Sequence, residues 1–212
     1  MEIQVALDRM SLDQARRITA EVAAHVDWIE VGTSLLKEYG KAGLQAVVES
    51  AGATPVLADL KTVDDVRWEL ALAYGAGARS VTVLGLAPRV TVDTAVEVSA
   101  EWGRELVVDL MGLDDGQIAA LAAGLPGTVV LAAHVSKDAQ AAGERALTLL
   151  GPWAAGRRVA LAGGLTAADL PGLVDWPDLR VIVGSAVTKA SDPLDAVREL
   201  RRSCGKDAQD HA

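Results

Sequence analysis

The sequence is short of cysteine, of excess basic charge and of long apolar runs, and each shortage excludes something. There is a single cysteine, Cys204, so no intrachain disulfide can form, and a reduced, cytoplasmic setting is expected. The net charge is −9 and the pI is near 4.8. No basic surface is therefore expected to bind nucleic acid through counterion release. A small anionic substrate remains compatible, because a local site can differ in sign from the whole surface. No apolar run approaches the roughly 20 residues that span a bilayer, so no membrane partner is expected. The opening MEIQVALDRM lacks a basic segment followed by a long apolar stretch, so no signal peptide is expected. No linker, low-complexity block or charge run divides the chain.

What is present is an ordinary globular composition. The chain has 212 residues, 50% hydrophobic and 23% charged, enough for one domain of the larger kind. Short β-branched runs alternate with longer Ala/Leu/Glu/Arg stretches of helical periodicity. The strand-like runs are Ile3–Leu7, Trp28–Val31, Thr54–Leu60, Ser80–Leu84, Glu105–Leu110, Thr128–Ala132, Arg158–Ala162 and Leu179–Val183. Between them lie helix candidates at about 11–24, 34–51, 63–75, 89–102, 114–123, 136–150 and 166–174, with a last one near 192–203. Ser11 with Gln14 resembles a capping box, and Asp192-Pro193 resembles a helix start. Single strands between helices predict a parallel sheet. Eight such units predict an α/β fold, a compact (β/α)₈ TIM barrel over residues 1–203, followed by a polar tail at 204–212. A doubly wound open sheet is the alternative.

In such barrels the active site lies at the C-terminal ends of the strands. The first run ends in Asp8, the second carries Glu30, and the third ends with Asp59 and Lys61. The fifth ends in Asp109, and His134 follows the sixth. The seventh ends in Ala162-Gly163-Gly164 and the eighth in Gly184-Ser185. No comparable cluster is expected at the opposite ends. Alternation places Asp59 and Lys61 on one face, and Val56, Ala58 and Leu60 on the other. Asp8 sides likewise with Gln4 and Ala6, leaving Ile3, Val5 and Leu7 outward.

Any one of these acids taken alone reads equally as a helix N-cap or a solvated loop residue. Asp65 is read that way, as an acid in the first helical turn. His25 and His211 are read as surface residues. The joint pattern differs, because inward charges need partners or a ligand. Carboxylates at adjacent strand ends, such as Glu30 and Asp59, suit Mg²⁺, which takes few protein carboxylates and keeps water or substrate oxygens. A neighbouring lysine held charged would stabilise an oxyanion on a sugar carbonyl. The Gly163-Gly164 and Gly184-Ser185 turns fit the phosphate site commonly built after strands seven and eight.

Asp59-Leu60-Lys61-Thr62-Val63-Asp64 matches the D-x-K-x-x-D motif of the orotidine 5′-phosphate decarboxylase suprafamily. Further collinear stretches are QVALD (4–8), WIEVGT (28–33), VTVLG (81–85), VVDLMG (107–112), HVSKDAQAAG (134–143), ALAGGL (160–165) and VIVGSAVTKASDP (181–193). Together they resemble the branch that holds 3-hexulose-6-phosphate synthase and 3-keto-L-gulonate-6-phosphate decarboxylase. The resemblance implies a Mg²⁺-dependent homodimer with active sites shared across the interface. It implies Glu30 and Asp59 as metal ligands, and Lys61 as stabiliser of a 1,2-enediolate. Asp64 would reach the neighbouring subunit's site, Asp8 would bind substrate hydroxyls, and His134 would lie at the proton-transfer end. Gly164, Gly184 and Ser185 would hold the phosphate of a sugar phosphate.

The decarboxylases carry Glu, Arg and Thr where this chain has Asp109, Lys137 and Ala162, and Arg where it has Ser185. Asp109, Ala162 and the missing arginine favour the synthase, whereas Lys137 leans towards the decarboxylase. True orotidylate decarboxylation is disfavoured, because DLKTVDDV lacks a DIPNT-like continuation. A sugar-phosphate-binding barrel without catalysis and a ribulose-phosphate epimerase are the remaining rivals.

Overall fold

The computed structural model describes residues 1–176 and 178–205; His211, and the expected tail from residue 206 onward, lie outside the described residues. Eight strands run through the described residues: β1 (Glu2–Leu7), β2 (Trp28–Val31), β3 (Val56–Thr62), β4 (Ser80–Leu84), β5 (Glu105–Asp109), β6 (Val130–His134), β7 (Val159–Ala162) and β8 (Leu179–Val183). All neighbouring pairs are parallel, and β8 pairs back onto β1, so the sheet closes in sequence order as the expected (β/α)₈ barrel. The α-helices are α1 (Leu12–Val22), α2 (Thr33–Ala51, broken at Gly40), α3 (Val66–Gly75), α4 (Arg89–Glu101), α5 (Asp115–Gly124), α6 (Lys137–Ala141), α7 (Ser185–Thr188) and α8 (Pro193–Ser203).

Side-chain alternation along the strands builds two apolar layers. Ile3, Val5, Leu7, Val56, Ala58, Val81, Val83 and Val181 are buried outward, between sheet and helices, with Leu60 packed on them. Leu57, Val107, Val130, Ala132 and Ala160 fill the barrel, with Trp28 and Ile182 against them. Local signals set several helix starts. Ser11 Oγ accepts the Gln14 N–H at 3.2 Å, and Asp192 accepts the Asp195 N–H at 2.9 Å, with Pro193 in the first turn.

Five expectations need correction. The helix expected at 136–150 stops after Ala141, and a separate 3₁₀ turn covers Ala146–Leu149. Gly143, at φ +96°, turns the chain out of the helix there. The helix expected at 166–174 is a 3₁₀ helix, Ala167–Leu173, with Pro171 inside; proline supplies no N–H and blocks an α-helical ladder. β3 continues to Thr62, and His134 closes β6, so Lys61 and His134 lie within strands rather than beyond them. α3 begins at Val66, and Asp65 is its N-cap residue at φ +47°, outside the first turn and without a side-chain cap bond.

The opposite end of the barrel, expected to be bare, holds a second charged cluster. Arg180 is buried, with Nε 2.8 Å from Glu2 Oε2 and Nη1 and Nη2 at 2.9 and 3.1 Å from Glu105. Its guanidinium lies 4.1 Å from the Trp28 ring centre, and Arg158 adds a 2.7 Å bond to Glu105. Burial would raise the Glu105 carboxyl, but the two arginines outweigh it and hold it below its ordinary range. Each charge is therefore compensated, and the cluster plugs the barrel floor.

Candidate active site

The C-terminal ends of the strands surround a cavity of about 590 Å³. Asp8, Glu30, Asp59, Lys61, Asp109, His134, Lys137, Ala162, Gly164, Gly184 and Ser185 all line it. Asp64 does not: it is exposed, and its Oδ1 accepts the Asp65 N–H at 2.8 Å. His25 also stands away from the cavity, in a short 3₁₀ turn after α1.

Four ionisable residues interlock at the centre. Lys61 Nζ donates to Asp59 Oδ1 at 3.0 Å and to Asp109 Oδ2 at 2.6 Å. Asp109 Oδ2 also meets His134 Nδ1 at 3.0 Å, while its Oδ1 accepts the Met111 N–H at 2.9 Å. Burial would raise Asp109, but the His134 hydrogen bond and the Lys61 ammonium outweigh it and hold the carboxyl down to about 2. Burial would likewise discharge Lys61, yet the charges of Asp59 and Asp109 prevail and raise it above its ordinary value. Asp109 is thus an ionised, acceptor-only partner, which favours a His134 proton on Nδ1.

Glu30 faces this group from β2. Burial, and then the neighbouring Asp59 charge, push its carboxyl up to about 7, although Gln4 Nε2 donates to Glu30 Oε2 at 2.5 Å. Asp59 is anchored by Thr33 Oγ1 on Oδ2 at 2.7 Å and by Thr82 Oγ1 on Oδ1 at 2.8 Å. Two buried carboxylates that repel across a polar cavity are a donor set suited to a hard divalent cation such as Mg²⁺. Among the described residues no group of three or more His, Cys, Asp or Glu side chains is arranged to hold a metal ion by itself, so any such ion would keep most of its ligands from water or substrate.

Asp8 caps a helix at the cavity rim. Its Oδ1 accepts the N–H groups of Ser34 and Leu35, at 3.0 and 3.3 Å, and so caps α2, while the side chain still borders the cavity. Gly32 makes this contact possible, because a Cβ there would lie 2.8 Å from Asp8 Cβ. At the other rim Gly163 takes φ +131°, and a Cβ there would lie 2.8 Å from Val135 Cβ, so only glycine fits this turn. Gln140 Oε1 lies 3.4 Å from the Cβ position of Gly164, and Gln140 Nε2 holds Val135 O at 2.7 Å.

Reading strand ends missed Gln140, Thr33, Thr82, Arg9 and Lys189, all of which line the cavity. Thr82 carries the one usable signal: it shares the inward face of β4 with Ser80. Arg9 and Lys189 stand on loops, where no periodicity points to them.

A sequence model of the orotidine 5′-phosphate decarboxylase / HUMPS family matches residues 1–200. A protein of Mycobacterium gastri named 3-hexulose-6-phosphate synthase is 34% identical over 205 residues, covering 95% of this chain and 98% of its own. The crystal structure of 3-hexulose-6-phosphate synthase from Salmonella typhimurium superposes with a TM-score of 0.85 at 34% identity, covering 97% of this chain and 99% of that one. The structure of 3-keto-L-gulonate-6-phosphate decarboxylase from Vibrio cholerae gives a TM-score of 0.84 at 26% identity, covering 97% of both chains. With its closed barrel, its charged strand ends and these relatives, the chain belongs to the orotidine 5′-phosphate decarboxylase / HUMPS family.

Proposed function

We propose that this chain is a lyase of the aldehyde-lyase class, a 3-hexulose-6-phosphate synthase that condenses D-ribulose 5-phosphate with formaldehyde through a 1,2-enediolate. The observation that carries the reading is the Asp59–Lys61–Asp109–His134 cluster at the cavity centre. It supplies one fixed ammonium and one oriented base within a single pocket. Relatives at 34% identity carrying the synthase name support the choice of reaction.

His134 Nε2 takes the C1 proton of the bound ketose, and Asp109 holds the imidazole and the imidazolium that forms. The electron pair moves into the C1–C2 bond as the C2 oxygen becomes anionic. Lys61 faces that oxygen with a charge kept in place by two carboxylates. C1 then attacks the formaldehyde carbon, and the new alkoxide takes the proton back from His134. Glu30 and Asp59 would hold Mg²⁺, which would supply positive charge to offset the oxyanion that develops on the substrate. Asp8 is placed for substrate hydroxyls, and the Gly164 and Gly184-Ser185 turns for the phosphate. The arginine expected after Gly184 in the decarboxylases is absent, and Arg9, Lys137 and Lys189 are cations of the cavity lining besides Lys61 and Arg180.

The proposed enzyme is a homodimer. Val63 and Leu86 after β3 and β4, with Trp68 and Val90 in the first turns of α3 and α4, expose apolar side chains, and Asp64 follows Val63 in the sequence. A second copy seated there would cover this patch and receive Asp64 near its own cavity.

One observation favours a second reaction. Lys137, at the position of a decarboxylase arginine, lines the cavity, where it could steer a proton-bearing water to an enediolate formed by CO₂ loss. Assaying the purified protein with Mg²⁺ on ribulose 5-phosphate plus formaldehyde, and separately on 3-keto-L-gulonate 6-phosphate, decides between them. Faster turnover of the first pair is expected. Turnover of neither substrate refutes both readings.

A further inference from the structure

The Asp59-Leu60-Lys61 stretch does not run as a plain strand. β3 and β4 pair at Leu57–Ser80 and Ala58–Val81, then slip, and pairing resumes at Thr62–Val83. Four steps along β3 thus match two along β4, and the excess residues form a bulge that contains Asp59 and Lys61. Lys61 sits there at φ +49°, a left-handed conformation unfavourable for any residue with a Cβ. Its N–H leaves the ladder and donates instead to Thr82 Oγ1 at 2.8 Å. The same hydroxyl donates its own proton to Asp59 Oδ1, also at 2.8 Å. Lys61 Nζ returns to that same Oδ1 at 3.0 Å, which closes a ring through one hydroxyl.

We propose that Thr82 is the positioning residue of this site: its hydroxyl pins the strained backbone at Lys61 and the Asp59 carboxylate together, and so aims the ammonium at the reacting oxygen. Thr82 is buried on the inward face of β4, and its β-branched side chain has few rotamers to choose from. A hydroxyl can accept from one group and donate to another at once. Valine has the same shape and does neither. Serine does both without the methyl group. The kinetic consequence rests on the synthase reading above; the backbone consequence does not.

The test compares Thr82→Val and Thr82→Ser with the parent protein, by kinetics with ribulose 5-phosphate and formaldehyde and by amide hydrogen exchange. Thr82→Val is expected to lower kcat about 10²-fold with KM changed less than about threefold, since a misplacement of ~1 Å costs roughly that in rate. Thr82→Ser should recover most of the loss. The Lys61 amide should exchange as slowly as the ladder amides of β4 in the parent and in Thr82→Ser, and fast in Thr82→Val. Exchange needs no substrate, so a parent protein without turnover refutes the synthase reading and leaves this measurement to decide the inference. Parent-like kcat or parent-like protection of the Lys61 amide in Thr82→Val overturns the proposal. So does a serine variant as slow as the valine one, because the methyl group then matters and not the hydroxyl. Should Thr82→Val fail to fold, a parent Lys61 amide that exchanges as fast as those of the exposed loop at Val63–Asp65 overturns it without any variant.

Discussion

Replacing Asp109 by asparagine removes one charge and almost no volume. The carboxyl is held from its ordinary 3.8 down to about 2, and each pH unit of displacement is worth about 1.4 kcal/mol. The ionised form therefore contributes about 2 kcal/mol at neutral pH. A group with a depressed folded-state pKa gives stability that is present above its unfolded pKa and is lost as pH falls through the folded one. The parent protein should accordingly weaken between about pH 4 and pH 2 through this group, and Asp109→Asn should lack that component. At pH 7 the variant should melt about 4–8 °C lower, at roughly 2–4 °C per kcal/mol for a domain of this size. Activity should fall further than stability. The asparagine amide can turn a donor towards His134 Nδ1, and Lys61 keeps only Asp59, so kcat should drop by about 10²–10⁴-fold, the usual worth of an oriented acid–base group. Steady-state turnover of ribulose 5-phosphate with formaldehyde, and thermal melts at pH 7 and pH 3, measure both parts. A variant with parent-like kcat and parent-like melting at pH 7 would refute the roles assigned to this cluster.

Three further outcomes are expected. Lys189→Met should raise KM for ribulose 5-phosphate about tenfold and change kcat little, the loss of one charge-assisted contact to the phosphate; an unchanged KM would remove Lys189 from that role. Arg180→Met should cost about 3–5 kcal/mol in denaturant unfolding, because it leaves Glu105 buried with only Arg158 as partner; an unaltered midpoint would show that the barrel floor does not depend on Arg180. Asp64→Asn should be inactive alone but regain part of the activity when mixed with Lys61→Met, since a shared site in a mixed dimer would be intact on one side. Sedimentation of the active protein as a monomer would contradict that expectation.

Much of this site was legible because a barrel converts strand periodicity into direction. Asp59 and Lys61 are two residues apart, so one alternation rule put both inside, and the outward burial of Val56 and Ala58 agrees. The same rule placed Gln4 inward, where it meets Glu30. Reading only strand ends had a cost. Thr82 and Arg180 sit inside their runs and were passed over, although one borders the reacting groups and the other plugs the floor. Uncharged polar residues such as Thr33 are also hard to single out, since a strand threonine is ordinary wherever it points. The broken helix after β6 was missed for a different reason. Residues 136–150 are rich in Ala and Leu and read as one helix, and Gly143 outweighs that composition through a single backbone angle. Asp64 is the residue whose role a single chain leaves unexplained: it is exposed and lines no part of the cavity, so the role proposed for it needs a second copy.

The central claim is that Lys61 and His134 generate an enediolate by removing the C1 proton of ribulose 5-phosphate. Incubating the protein with Mg²⁺ and ribulose 5-phosphate in D₂O, without formaldehyde, and following the C1 signals by proton NMR measures that step alone. The account predicts deuterium at C1 with the parent protein and a rate at least about 10²-fold lower with Lys61→Met or His134→Gln. No exchange with the parent protein, or equal exchange in all three, would contradict it.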